Sequence, residues 1–282
     1  MNDDWLNERY VAIPQELCYT APDGWEIQGW AHYPPNFTRR RKWPVVVEVH
    51  GGPQAMWSPA GVTVWHEFNV PPKNGDYPVM AGAGYVTFWC NPRGSDGYGT
   101  AFAKGLVNDW GASMPDIMAG IDRVIAQGGI DEQRICLTGG SYGGWATAWL
   151  IGHSDRFAAA ASLRGVYSLV SFDGTTDISN FIHDAFGAYH WEDPDTLWRQ
   201  SPLAHVKNIR TPLLILHADD DYRAPIPDAE QLFAALKRLG RKTQFARYPR
   251  DGHEQTRSGE PRHRIDSMRR ILEWFGKYGK GR

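Results

Sequence analysis

The sequence predicts an α/β fold, with a mostly parallel central sheet and helices on both faces. Three observations carry this. Short continuous apolar runs, the mark of strands buried on both sides, alternate with segments of helical spacing. A glycine-bracketed serine, Gly139-Gly140-Ser141-Tyr142-Gly143-Gly144, stands between a strand-like run and a helix-like run. Polar clusters follow directly after apolar runs, at the strand ends where sheets of this kind gather their chemistry.

Residues 1–14 carry no clear period and read as an N-terminal extension; residues 15–282 read as one domain. Glu16–Thr20 and Trp25–Ala31 flank a Pro22-Asp23-Gly24 turn and predict an antiparallel hairpin. Pro44–Val49 and Tyr85–Trp89 are the next strands. From Met114 to Ala126, Ile117, Ile121, Val124 and Ile125 fall on one helical face. Arg134–Leu137 is a strand leading into the serine, and Trp145–Ile151 starts the helix after it. Phe157–Leu163 reads as a further strand. Leu169–Arg199 is less regular and rich in aromatics and aspartates; in α/β hydrolases an insertion at such a place often caps the site. Pro212–Ala218 is a continuous apolar strand, Ile226–Leu239 a helix, Gln244–Tyr248 a last strand and His263–Lys277 a last helix. There are no internal repeats.

The pattern G-x-S-x-G at 139–143 is that of a nucleophile elbow. A sharp strand-to-helix turn forces the serine into a sparsely populated backbone conformation, and glycines two residues either side avoid a clash. Ser141 then stands clear of the sheet. A serine needs a base, and the base needs a carboxylate to orient it. In an α/β hydrolase these follow in the order Ser, Asp or Glu, His. Asp219, Asp220 and Asp221 follow the apolar strand 212–218, and spacing alone does not choose among them. His253 lies in the polar turn Pro249–Glu254 after the last strand and is the base. His217, inside its strand, reads as a packed core residue. His153, His183, His190 and His205 have no partner motif, and His263 reads as a solvated residue at the start of the last helix. His50-Gly51-Gly52-Pro53 directly follows the strand 44–49. Such a loop lets backbone amides approach a substrate oxygen, the donors being Gly52 or Gly51 together with Tyr142. His50 reads as a residue that orients this loop.

Five ordered motifs together resemble the catalytic domain of the prolyl oligopeptidase family. They are His50-Gly51-Gly52-Pro53, Asn91-Pro92-Arg93-Gly94-Ser95-Asp96-Gly97-Tyr98-Gly99, Gly139–Gly144, Asp221-Tyr222-Arg223-Ala224-Pro225 and Gly252-His253-Glu254. The first and third are similar to the acylaminoacyl-peptidase branch. The resemblance implies an α/β-hydrolase fold and the triad Ser141, Asp221 and His253, with Gly52 and Tyr142 as the oxyanion hole. It also implies that Val166 and Arg223 border the substrate pocket. Family members usually carry a β-propeller before this domain. The chain shows none, so residues 1–14 correspond to the link leaving it. The implied activity is serine-type hydrolysis of short peptides or acylated amino acids, without cofactor or metal. A carboxylesterase of similar build, acting on small esters, is the alternative. A non-catalytic binding domain is the third reading, and the intact triad argues against it.

Composition is consistent with these expectations. A net charge of −2 gives no reason to expect nucleic acid or a membrane surface as partner. Arg39-Arg40-Arg41 is too short for a nucleic-acid patch and reads as a solvated loop. Cys18, Cys90 and Cys136, odd in number, read as reduced core residues. No apolar segment resembles a signal peptide or a membrane span, and a cytoplasmic location is expected. Trp57 and Trp65, soon after the oxyanion loop, either wall the site or pack that loop. An exposed apolar rim at the mouth would favour self-association.

Overall fold

Alternating apolar and polar residues in Gln15–Thr20 (β1) and Glu26–His32 (β2) form the expected hairpin, in register from Gln15 opposite Ala31 to Thr20 opposite Glu26. In the computed structural model, which describes residues 13–58, 61–62 and 76–279, this hairpin is one edge of an eight-stranded sheet. The remaining strands are Trp43–Val49 (β3), Val86–Asn91 (β4), Ile130–Gly140 (β5), Ala159–Leu163 (β6), Leu213–Ala218 (β7) and Thr243–Tyr248 (β8). Their order is β1-β2-β4-β3-β5-β6-β7-β8. From β4 to β8 every pairing is parallel, and β2 alone runs against its neighbours. This is an α/β-hydrolase fold.

Seven helices matter for the site: Met114–Ile125 (α1), Tyr142–His153 (α2), Leu169–Asp173 (α3), Phe181–Phe186 (α4), Pro194–Arg199 (α5), Pro227–Arg238 (α6) and Pro261–Tyr278 (α7). One apolar cluster joins Ile117 and Ile121 of α1, Trp145 of α2 and Leu232 of α6 to one face of the sheet. A second joins Ile271, Trp274 and Phe275 of α7 to Val46, Leu214 and Leu216 on the other. Both faces being covered, β4, β6 and β7 are buried at every position, which is why they read as unbroken apolar runs.

The structure differs from the expected elements in instructive ways. β5 begins at Ile130 rather than Arg134 because a register shift lies between the pairs Trp43–Ile130 and Val45–Ile135, and polar residues occupy it. The less regular segment 169–199 carries three short helices, α3 to α5, joined by turns. Cys18 is exposed, a correction: on the edge strand β1 the two-residue period buries Leu17 and Tyr19 and turns Cys18 outward. Cys90 and Cys136 are buried as expected. Trp57 is buried against Trp30 and Trp89, and Asn91 clamps its backbone N–H and C=O at 2.7 and 2.9 Å. Trp65, and residues 1–12 of the proposed extension, lie outside the described residues. Among those described, no helix is long and apolar enough to cross a membrane.

Candidate active site

The elbow forms where β5 meets α2. Ser141 sits between them at φ 62° and ψ −121°, a strained conformation for a residue with a side chain. Its N–H donates to Leu163 O at 3.0 Å, which fastens the turn to the end of β6. The flanking glycines are required by contact. A Cβ on Gly143 would lie 2.1 Å from Val49 O, and one on Gly139 would lie 2.5 Å from Gly143 O. The first turn of α2 therefore presses directly on the end of β3. This aims the unpaired helix N-terminus at the space beside Ser141.

Asp221 and His253 leave the ends of β7 and β8 and meet. His253 Nδ1 lies 2.8 Å from Asp221 Oδ2 and 3.0 Å from Oδ1. A carboxylate only accepts, so Nδ1 carries the proton and Nε2 is left basic. The other carboxylate oxygen bond is local: Oδ1 accepts from the backbone N–H of Arg223 at 3.0 Å and of Ala224 at 2.9 Å. Burial raises the Asp221 pKa, but hydrogen bonds from His217 and His253 outweigh it and hold the carboxyl well below its ordinary range. For His253, burial lowers the pKa and the Asp221 hydrogen bond opposes this; the net shift is downward. The neighbouring aspartates go elsewhere. Asp219 pairs with Arg247 at 2.8 Å, and Asp220 contributes its backbone N–H to Asp251 O at 3.0 Å.

The glycine loop after β3 is held by a chain of polar contacts. Arg93 reaches Asp116 of α1 through Nε at 2.9 Å and Nη2 at 2.6 Å, and Asp23 of the hairpin turn through Nη2 at 2.7 Å. This fixes the turn that carries Ser95, whose hydroxyl lies 2.8 Å from His50 Nε2. His50 Nδ1 lies 2.6 Å from Gly51 O, which only accepts, so Nδ1 carries the proton. Burial lowers the His50 pKa to about 4, which leaves the ring neutral and suited to orienting the loop. Gly51 comes so close to the elbow that a Cβ there would lie 3.2 Å from Ser141 Cβ.

Ser141, His253, Gly52 and Tyr142 all line one cavity of about 240 Å³. Trp110, Val166, Phe172, Ile178 and Phe181 give it an apolar wall. The ring of Trp110 lies 5.3 Å from Tyr142 and 5.9 Å from Phe181, so this wall begins beside the nucleophile. Arg164, Glu254, Thr256 and Arg257 form a polar wall beside His253. Arg164 bonds Thr256 and Arg257 bonds Glu254. Arg223 also lines the cavity, with its guanidinium 2.5 Å from Asp177 in the segment between α3 and α4. The carboxylates and imidazole of Asp251, Glu260 and His263 lie close together, but each has a partner of its own, the Glu260 carboxylate being paired with Arg250 and Arg262. His263 Nδ1 bonds Asp251 at 2.8 Å, and Asp251 accepts the Glu260 N–H at 3.0 Å. His263 is therefore not the solvated residue the sequence suggested. It braces the His253 turn against α7.

Every proposed site residue thus falls in one place, and several neighbours of the site were not recognised as such in the sequence. His217 is buried and touches Asp221, and its position four residues before the acid was the available signal. Arg164 follows β6, at another strand end of the kind that carries the acid and base. Phe172 and Phe181 sit on α3 and α4, where only their aromatic character hinted at a pocket wall.

Comparison with known proteins gives the relatives of the chain. The profile of the prolyl oligopeptidase family matches residues 74–282. "Uncharacterized peptidase YuxL" of Bacillus subtilis is 39% identical over 98% of this chain and 41% of its own length. "Dipeptidyl-peptidase 5" of Schizosaccharomyces pombe is 28% identical over 99% of this chain and 40% of its own. A solved acylaminoacyl peptidase in complex with Z-Gly-Gly-Phe-chloromethyl ketone superposes with a TM-score of 0.90 at 29% identity. It covers all of this chain and 44% of that one. The chain spans about two fifths of the length of the relatives it matches.

Proposed function

The chain belongs to the prolyl oligopeptidase family of serine peptidases, and from that premise we propose that it hydrolyses short peptides or acylated amino acids by acyl transfer to Ser141. In this reading His253 Nε2 removes the Ser141 proton as Oγ attacks the carbonyl carbon. Asp221 holds the tautomer and stabilises the imidazolium that forms. The amides of Gly52 and Tyr142 receive the developing oxyanion, each contributing about 3 kcal/mol to lowering the barrier. His253 then protonates the departing amine. Water, activated by the same ring, hydrolyses the acyl-enzyme. The mechanism calls on no metal or cofactor.

The single observation that carries the proposal is the His253–Asp221 contact at 2.8 Å beside the cavity that Ser141 and His253 line. It commits one imidazole nitrogen and leaves the other basic. The substrate side follows from the aromatic wall. Trp110, Phe172 and Phe181 suit a bulky apolar side chain at the residue whose carbonyl is attacked. The similar acylaminoacyl peptidase structure carries an inhibitor ending in Phe, which supports that choice. Val166 and Arg223 border the same pocket in this reading. Ester cleavage is the second reading, because a cavity of about 240 Å³ accepts a small acyl group and esters have the lower barrier.

The test is hydrolysis of an N-acyl-Phe amide, its N-acyl-Asp counterpart and the matched Phe ester. We expect turnover of the Phe amide, with kcat/KM at least tenfold above the Asp amide, since a charge buried in the aromatic wall is costly. Turnover of the ester with none of the amide would favour the esterase reading.

A further inference from the structure

His217 lies on β7, in a strand whose other residues are all apolar and buried. An imidazole there has a desolvation cost and needs partners. Nε2 has two. It lies 2.7 Å from Ala224 O and 3.3 Å from Asp221 Oδ2, and both the His217 and Asp221 side chains are fully buried. A carbonyl only accepts, so Nε2 carries a proton, and that N–H faces the carboxylate as well. Nδ1 is also buried and has no hydrogen-bond partner among the described residues. The ring is thus anchored at one end only, the end that faces the acid.

We propose that His217 is a positioning residue for Asp221, a second imidazole whose Nε2–H, held on Ala224 O, faces the same carboxylate oxygen that His253 engages and fixes the face it presents to the base. The inference rests on the Ser141–Asp221–His253 reading and deepens it. Ala224 gives the arrangement its geometry. Its N–H donates to Asp221 Oδ1 at 2.9 Å, while its C=O accepts from His217. The acid loop is therefore closed on both sides of one residue. Asp221 receives two backbone N–H groups on Oδ1, and His253 and His217 on Oδ2. With both oxygens held, the carboxylate has one orientation.

The donor also divides the charge on Asp221. A carboxylate that gives part of its charge to His217 stabilises the His253 imidazolium less, so His253 stays a free base to lower pH. Other groups act on the same pair. Asp228 of α6 is buried and couples to His217. Tyr167, after β6, couples to Asp221 and Asp228. Arg164 and Glu254 act on His253 from either side in sign, and Arg223 couples to Asp221 and Glu254. None of these side chains hydrogen-bonds Asp221, whereas His253 does and the His217 N–H faces the same oxygen at 3.3 Å.

The experiment compares His217→Leu, His217→Gln and His217→Asn with the parent protein. The readouts are the rate of Ser141 phosphonylation by a fluorophosphonate across pH, and the melting temperature. The Gln amide nitrogen reaches about where Nε2 stands, and the Asn nitrogen does not. We expect the Leu and Asn variants to react at least tenfold more slowly at pH 7, from loss of one hydrogen bond to a charged group. Their acid limb should move up by about one pH unit. The Gln variant should recover most of the rate and the parental limb. If the Leu variant does not fold, the Gln–Asn pair decides. Equal rates and parental limbs in the folded variants, whatever their melting temperatures, would overturn the proposal and leave His217 as a packing residue. A parent protein that is not labelled at Ser141 would overturn the triad reading itself, and this inference with it.

Discussion

Asp219, Asp220 and Asp221 are chemically identical and adjacent, yet their surroundings separate them. Asp221 is buried under two imidazoles and two backbone amides, whereas Asp219 is tied to Arg247 on a half-exposed surface. Asp221→Asn should therefore lower kcat by about 10⁴, since an amide neither selects the His253 tautomer nor stabilises its cation. Asp219→Asn should stay within about tenfold of the parent, the loss of an exposed ion pair being worth at most about 1 kcal/mol. Steady-state kinetics on an acyl-Phe amide compares the two, and a larger loss at Asp219 would move the acid. The pH profile belongs to the same scale. Activity needs neutral His253, whose pKa is lowered, first by burial, with the Asp221 bond opposing. The rate should fall as pH drops through that lowered value, so the midpoint of the acid limb should lie below 6.5. A midpoint at or above 7 in kcat/KM would mean that the Asp221 bond prevails over burial.

The elbow is a property of three elements together. β5 delivers the serine, α2 leaves it, and the end of β3 fills the space where a side chain at 143 would stand. A Cβ at Gly143 would lie 2.1 Å from Val49 O, and that oxygen belongs to backbone in the middle of the sheet. Gly143→Ala must displace β3 or α2, and overpacking of this kind costs about 3 kcal/mol. Because β3 also carries the oxyanion loop, the variant should lose fluorophosphonate labelling even at temperatures where circular dichroism shows it folded. Retention of parental labelling would mean that the junction can yield. The caps behave in the same interdependent way. α3 and α4 carry Phe172 and Phe181 to the cavity, and Asp177 between them pairs with Arg223 of the acid loop. The aromatic wall and the triad acid are thus physically joined.

For the molecule as a whole, buried titratable groups set the response to acid. Burial lowers the pKa of both His32 and His50 to about 4. Each contributes stability that is complete above the unfolded value of 6.5 and is lost as pH falls toward 4. By pH 5 the loss is about 2 kcal/mol for each histidine. Asp228 works in the opposite direction. Burial raises its pKa to about 6, so its ionisation weakens the fold above that pH, and protonation returns about 1 kcal/mol on going from pH 7 to 5. The net expectation is a melting temperature that falls between pH 7 and 5, by several degrees for a chain of this size. A flat or rising melting temperature across this window would show that the two rings are protonated in the folded protein.

Local patterns made much of this legible. The elbow at 139–143, the choice of His253 and the alternation that builds the sheet are written in short segments, because each depends on neighbours within a few residues. The exposure of Cys18 was readable in the same way, from the two-residue period of β1. Three things depended on residues far apart in the chain. The contact of Asp221 with His253, an acid the motif resemblance implied but spacing alone did not choose, required the ends of β7 and β8 to meet. The aromatic wall required α3 and α4 to fold back over Trp110. The contact of His217 with the acid required a tight loop that returns Ala224 and Asp221 to the strand they had just left. Sequence fixes which groups exist and which local turns they favour. Only packing decides which buried donor faces which acceptor, because a buried polar atom takes whatever partner the assembled elements bring within 3 Å.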